Sequence, residues 1–414
     1  MCDRVIFHID CNKFFASVEC SKRPEIAKLP VAVGGSAEKR HGIILSANET
    51  ATGYGVKTAE AIWQAKTKCP HLIVIPPNYS LYTQFSDMAR KIYCEYTDFV
   101  EPFGLDECWL DLTGNVKNMD EATELANIIR LRIKNELGIM VSVGVSWNKV
   151  FAKLGSDYKK PDAVTVFSKE NYRTKIFPLP VHTLLYVGPS TEKKLISHGI
   201  FTIGDIAESS ADYLCSFLGK NGSMLHSFAA GEDTSAVLKT NHTQQIKSIS
   251  NSVTTPHDLT DNDEVKLTFT ALSDTVAYRI RKQGLACRKI AISVRNRNLE
   301  VFTKQIILPN PTASSLKITQ IAMKLFNETC PPPFCIRSLG ISTGNFCNAG
   351  DTVQFDIFGE VKHNEKIERL EKTVDTLKYR FGNNCIKSAA ILCGEQNSEL
   401  PLFENSTPHI ELCE

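Results

Sequence analysis

No apolar run in the 414 residues is long enough for a membrane-spanning helix, and the opening Met-Cys-Asp-Arg does not read as a signal peptide. The expected setting is therefore the cytoplasm, away from any membrane. The 14 cysteines include no Cys-x-x-Cys pair, which argues against a zinc ribbon and for buried free thiols in a reducing compartment. Net charge is nearly absent as well, at +1, but that sum conceals a gradient. Residues 1–149 carry −1 and 150–240 carry +1; 241–350 carry +6, with 13 basic against 7 acidic residues, and 351–414 carry −5. A basic block beside an acidic tail reads as a polyanion-facing module followed by a segment that meets something else. Hydrophobic content of 43% is ordinary for a globular chain, and the length allows two to four domains.

The chain is organised around one short hairpin. Val100 and Phe103 lead into Gly104-Leu-Asp-Glu107, and Trp109, Leu110 and Leu112 lead out. Both arms read as strands, with Asp106 and Glu107 adjacent at the turn. Two carboxylates at ~4 Å repel by about 4 kcal/mol at an effective dielectric near 20, so something must offset them. A lone Asp-Glu pair is ordinarily a solvated turn. Here a third acid, Asp10, ends the apolar run Arg4-Val-Ile-Phe-His-Ile-Asp10. Three acids at strand ends of one sheet make a plausible two-metal site for phosphoryl transfer.

Three motifs then point to one family. His8-Ile-Asp-Cys-Asn-Lys-Phe-Phe-Ala-Ser-Val-Glu19, Gly104-Leu-Asp-Glu-Cys-Trp-Leu-Asp-Leu-Thr113 and Ser142-Val-Gly-Val-Ser-Trp-Asn-Lys-Val-Phe-Ala-Lys-Leu-Gly-Ser-Asp-Tyr-Lys-Lys-Pro161 resemble, in order, the signatures of the Y-family (DinB/UmuC-type) translesion DNA polymerases. The similarity runs from about residue 4 to about 345. It implies an α+β multidomain, right-hand polymerase: palm and fingers at 1–166 (fingers about 20–78) built on an antiparallel sheet with helices, and a helix-hairpin-helix thumb at 167–235. A linker at 236–245, an α/β little-finger domain at 246–350 and an acidic C-terminal segment at 351–414 complete it. The implied chemistry is attack of a primer 3′-hydroxyl on the α-phosphate of a dNTP, with two Mg²⁺ ions. Asp10, Asp106 and Glu107 would be the catalytic carboxylates and metal ligands, joined by the Cys11 carbonyl. Phe15 matches the steric gate that rejects a 2′-hydroxyl, with Phe14 beside it. Asn12 stands where many relatives carry a second Asp.

Around the implied nucleotide site, Ser46 and Lys160 match triphosphate ligands. Glu49 and Thr52 occupy positions where the family often has Tyr and Arg, so weaker dNTP binding is expected, with Glu49 turned towards Lys57 or solvent. Loss of an Arg removes a bidentate phosphate ligand. Residues 120–137 read as an amphipathic helix with Leu125, Ile128, Ile129, Leu131 and Ile133 on its apolar stripe. Residues 181–200 read as helix, glycine-containing hairpin and helix, which is similar to the family's thumb motif and implies that backbone N–H groups near Gly188 and Ser190 hold a DNA phosphate. Gly219-Lys-Asn-Gly222 is either a second phosphate clip or a packing turn.

In the basic block, Lys289, Ser293, Arg295 and Arg297 alternate with Ile290, Ile292 and Val294, and Ser248, Ser250, Ser252 and Thr254 alternate along an earlier strand. Helices near 267–283 and 316–327 would cover the apolar side, leaving a hydroxyl-and-cation face for primer-template DNA; a generic basic surface is the plainer alternative. In the tail, Gln354-Phe-Asp-Ile-Phe358 resembles the pentapeptide by which bacterial polymerases bind the sliding clamp. Gln354, Phe355, Ile357 and Phe358 would be its contacts, and Glu399-Leu-Pro-Leu-Phe403 is a poorer second match. A helical stripe of Ile367, Leu370, Val374, Leu377 and Phe381 would dock on its own core or on a partner. The chain is expected to be a monomer. Two other readings remain: a nucleotide cyclase of the same palm chemistry, which needs neither the helix-hairpin-helix nor the basic C-terminal sheet, and a catalytically weakened scaffold tethered to the clamp.

Overall fold

The computed structural model describes residues 4–35, 42–240, 242, 245–349, 360–382, 385, 386 and 389. They fall into two compact units, the first of residues 4–35 and 43–242, the second of residue 42 and the described residues from 245 onward. Among the described residues, no helix is long and apolar enough to cross a membrane.

The first unit holds β1 (Ile6–Cys11), β2 (Val31–Gly34), β3 (Ile44–Ala47), β4 (Ile73–Ile75), β5 (Val100–Phe103), β6 (Glu107–Asp111), β7 (Val141–Ser146) and β8 (Val164–Val166). Five of them form a sheet in the order β5-β6-β1-β7-β8, and β3-β2-β4 form a smaller one. Strand β1 is central and buried along its whole length, which its near-continuous apolar sequence anticipates. Alternation divides its side chains between two environments. Phe7, Ile9 and Cys11 join the main core with the helices Phe14–Lys22, Tyr79–Cys94 and Met119–Leu137. On the opposite face Ile6 packs with Trp109 and with Ala152 of the helix Lys149–Tyr158. His8 and Asp10 share that second face by alternation.

That helix lies close to the sheet because β7 carries Gly144, the register partner of His8. A Cβ at Gly144 would stand 1.9 Å from the Ala152 carbonyl oxygen and 2.4 Å from the Ser156 nitrogen. No other residue type fits there. Asn148 caps the helix by accepting from the Phe151 N–H at 2.8 Å.

Two expectations about helices need correction. In Met119–Leu137 the buried positions are Ala122, Ala126, Ile129 and Ile133, whereas Ile128 and Leu131 are half exposed. The segment before Gly188 is only a single 3-10 turn, Val181–Thr183, so one full helix, Pro189–Ser197, follows the hairpin. The 236–245 segment is also less free than its polar composition implied. Val237 is buried, the Leu238 N–H donates to Glu101 at 2.8 Å, and the Thr240 N–H donates to the Asp98 carbonyl at 3.0 Å.

The second unit contains β9 (Ser248–Leu259), β10 (Leu285–Asn296), β11 (Val301–Thr312) and β12 (Ile336–Asn348), antiparallel in the order β11-β10-β12-β9. Helices Asn262–Lys282 and Ser315–Thr329 pack with Ile290, Ile292, Val294, Leu339 and Ile341 in one core. A further helix, Glu360–Phe381, is fastened to this unit by charge. Arg281, with only 4% of its side chain exposed, pairs with Glu371 at 2.8 Å and Asp375 at 2.6 Å, and Lys378 pairs with Asp274 at 2.6 Å. Glu371 also accepts from the Ser315 N–H at 2.9 Å, at the start of Ser315–Thr329. Of the proposed stripe, Ile367, Val374 and Leu377 are half-buried while Leu370 and Phe381 are exposed.

Candidate active site

Asp10 and Glu107 are register partners on β1 and β6, so their side chains leave the same face of the sheet. Asp106 precedes Glu107 in the turn, where its carbonyl accepts from the Cys11 N–H at 2.9 Å. All three acids line one pocket with Cys11, Asn12, Lys13, Phe14, Phe15, Ser46, Glu49, Thr52 and Lys160. Each nucleotide-site residue read from the sequence is therefore at this pocket. Phe14 itself is 3% exposed and belongs to the core, so what it presents is mainly backbone. The Phe15 ring is half-buried and stacks on Tyr82, with centroids 4.4 Å apart and planes 14° apart. Ser46 is buried and accepts weakly from the Ala16 N–H at 3.4 Å.

The carboxylates sit in an environment that resists their charge. Burial pushes the Asp10 carboxyl up to about 7, with Lys160 pulling it back and Glu107 adding repulsion. Burial and then repulsion from Glu107 push Asp106 up to about 6. Glu107 differs: burial opposes its charge, but His8 and Lys153 outweigh this and bring it down to about 2. Lys153 donates to Glu107 Oε2 at 2.5 Å, and Lys160 reaches Asp10 and Asp157 at 2.8 Å each. His8 Nδ1 is 2.8 Å from Ser156 Oγ, and its Nε2 is 3.2 Å from Glu107 Oε2 but too poorly aligned to count as a hydrogen bond. Burial lowers the pKa of His8, which favours the neutral ring.

Hard oxygen donors held this way suit Mg²⁺, because a divalent cation removes the penalty that burial and repulsion impose. Among the described residues, no three His, Cys, Asp or Glu side chains are gathered tightly enough to form a finished cage. In this arrangement Lys160 and Lys153 take up oxygens of Asp10 and Glu107, so ion binding requires these lysines to yield.

Sequence reasoning missed His8, Lys153, Ser156 and Asp157 as neighbours of the acids. The signal was available in part, since His8 is two residues before Asp10 and alternation puts both on one face. Asn12 is 3% exposed and structural: its amide pairs with Ser142 at 3.0 Å and its oxygen accepts from the Asp162 N–H at 2.9 Å, fixing the loop after Lys160. Glu49 is half exposed, as expected, but its partner is not Lys57. It pairs with Lys13 at 2.8 Å, and Lys13 also donates to Thr52 at 2.9 Å.

Elsewhere in the first unit, Gly188 and Ser190 lie at the N-terminus of Pro189–Ser197. Gly222 is a packing residue: a Cβ there would be 2.4 Å from the Leu214 carbonyl carbon. In the second unit, Lys289, Ser293 and Arg295 share the outer face of β10, in register with Gly344, Gly340 and Ser338 of β12, and Arg297 is exposed just past the strand. The 354–358 pentapeptide and 399–403 lie outside the described residues.

The impB/mucB/samB family model matches residues 9–157, and the model of that family's C-terminal domain matches 246–357. A DNA polymerase IV from Acetivibrio thermocellus is 46% identical over 389 residues, covering 94% of this chain and 98% of the relative. The chain belongs to the DNA polymerase IV family. Another DNA polymerase IV, from Clostridium kluyveri, is 35% identical over 95% of this chain and 100% of its own length. A solved Y-family DNA polymerase chimera matches with a TM-score of 0.74 at 23% identity, covering 82% of this chain and 98% of that one. The fold is thus that of the Y-family polymerases, and the α+β, right-hand expectation stands.

Proposed function

We propose that this chain is a low-fidelity, template-directed DNA polymerase that extends primers past damaged bases, using DNA and dNTPs as substrates. Membership of the DNA polymerase IV family supports the activity. The single observation that carries the site assignment is the convergence of Asp10, Asp106 and Glu107 on a pocket floored by Phe15 and flanked by Lys160. Asp10, Asp106 and Glu107, with the Cys11 carbonyl, would hold two Mg²⁺ ions, which when bound supply activation of the primer hydroxyl and neutralisation of phosphate charge. The primer O3′–Pα bond forms, the bond from Pα to the bridging oxygen breaks, and pyrophosphate leaves.

The chain's own residues position these groups. Lys153 keeps Glu107 ionised and oriented. Lys160 exchanges its contact with Asp10 for phosphate oxygens as the nucleotide enters, while Ser46 offers a hydroxyl. The Phe15 ring, braced by Tyr82, closes the space a 2′-hydroxyl would need. Gly188 and Ser190 contribute N–H groups, and Lys289, Arg295 and Arg297 contribute cations, to the DNA backbone. These are phosphate contacts, so binding is independent of sequence and sensitive to salt. We assign the peptide 354–358 to a sliding clamp, the expected state to monomer and the expected location to cytoplasm. The scaffold alternative is disfavoured by the intact acid trio.

Primer extension with Mg²⁺ and four dNTPs on damaged and undamaged templates tests this reading, with Asp106→Ala/Glu107→Ala as control. Extension by the control variant, or none by the wild type, rejects it.

A further inference from the structure

Lys13 joins β1 to the helix Phe14–Lys22 with φ 48° and ψ 46°, a left-handed conformation that glycine or asparagine adopts at lower cost. Such strain at a pocket is a pointer to function rather than to packing. Its ammonium is held over the pocket by Glu49 at 2.8 Å and by the Thr52 hydroxyl at 2.9 Å, both from the short helix Glu49–Gly53. The pocket lining carries four acids, Asp10, Glu49, Asp106 and Glu107, against two lysines, Lys13 and Lys160. Lys160 is already engaged by Asp10 and Asp157. Even with Lys160 turned to the phosphates, a triphosphate entering so acidic a pocket needs another cation, and Lys13, held by one half-exposed carboxylate and one hydroxyl, is the other lysine in its lining. Glu49 is 52% exposed at its side chain and Lys13 27%, so their pair is weak. A polyanion offering several charge-assisted contacts competes well against one exposed carboxylate.

We propose that Lys13 is a phosphate ligand for the incoming nucleotide and that Glu49 is its internal competitor. Glu49 occupies the ammonium in the empty pocket and cedes it to the triphosphate; Thr52 keeps Lys13 extended in both states. The proposal rests on the pocket being the dNTP site. It adds to Lys160 and Ser46 a phosphate ligand at β1's exit, a cation that the Glu49–Gly53 helix does not itself supply.

Steady-state kinetics of the full chain on primed DNA, with melting temperatures and calorimetric binding of inorganic tripolyphosphate, test it. Lys13→Gly relieves the left-handed strain, so its melting temperature should hold or rise. Its KM for dNTP should nevertheless rise about tenfold, equivalent to ~1.4 kcal/mol, with kcat little changed. Lys13→Arg should stay close to wild type, and Glu49→Gln should lower KM and tighten tripolyphosphate binding. Thr52→Arg should restore the KM of Lys13→Gly. An unchanged KM in Lys13→Gly, or a raised KM in Glu49→Gln, overturns the role of Lys13 while wild-type extension leaves the polymerase reading standing. Failure of the wild type to extend primers would instead remove the reading beneath it.

Discussion

Asp106 is a carboxyl that the folded chain prefers to keep protonated. Its pKa, raised to about 6 by burial and by Glu107, exceeds that of the unfolded chain, so the native state binds a proton the unfolded state has released. Stability therefore falls as pH rises from the ordinary carboxylate range through about 6, and Asp10 extends the same loss to about 7. In magnesium-free buffer at pH 8, Asp106→Asn should raise the melting temperature by a few degrees, and with Mg²⁺ restored the variant should not extend primers. At pH 5 the gain should shrink, because the wild-type acid is then largely neutral; an equal gain at both pH values contradicts the account. Phe15 offers a second residue-scale measurement. Phe15→Ala should relax discrimination against ribonucleotides by about 10–200-fold, the range of a steric sieve, read as the ratio of kcat/KM for dNTP and rNTP. The gathering of the three acids was legible because residue type and strand-end position carry it, whereas the role proposed for Phe15 came with the family resemblance and not from its spacing. The pairing of Lys13 with Glu49 was not legible, because the fold joins residues from separate elements and Lys57 was equally available by charge.

At the scale of elements, the sheet of the first unit and the helix above it are one device. Lys149–Tyr158 delivers Lys153 to Glu107 and Ser156 to His8, and it does so only because Gly144 leaves room. Gly144→Ala should cost more than the ~1–3 kcal/mol of ordinary overpacking, since the obstruction is backbone rather than a side chain that can turn. Gly155→Ala meets its nearest atom at 3.0 Å, against 1.9 Å for Gly144→Ala, and should be milder. Thermal melts of the two variants check the ranking; the reverse order rejects it. Strand positions were readable from apolar runs, and the long helices from their apolar spacing. The buried stripe of Met119–Leu137 was misread because hydropathy favours Ile128 and Leu131, whereas close packing on the sheet selects the small Ala122 and Ala126. The 3-10 turn before Gly188 was misread because four residues of helical spacing do not distinguish one turn from a helix.

For the whole molecule, the charge gradient in the sequence has a structural counterpart. The second unit, within the block that carries +6, presents Lys289 and Arg295 on the face of β10 opposite its helices, with Ser250, Ser252 and Ser338 on the same side. Small hydroxyl residues and glycines line that face, and its paired positions Ser248, Ser250, Ser252 and Thr254 of β9 and Ser338, Gly340, Ser342 and Gly344 of β12 include no acid. The alternation in β10 made this face legible, whereas the partner strands could not be ordered from the sequence because register depends on contacts between distant segments. Each phosphate neutralised by a cation on duplex DNA contributes about −0.9 to the slope of log K against log salt. Lys289→Ala/Arg295→Ala should therefore weaken binding to every primer-template equally and flatten that slope by about 1.8, if both residues meet phosphates. Affinities measured across a salt series on two unrelated sequences decide the matter. A loss confined to one sequence would mean base contacts, and an unchanged slope would mean that the cations serve only solubility.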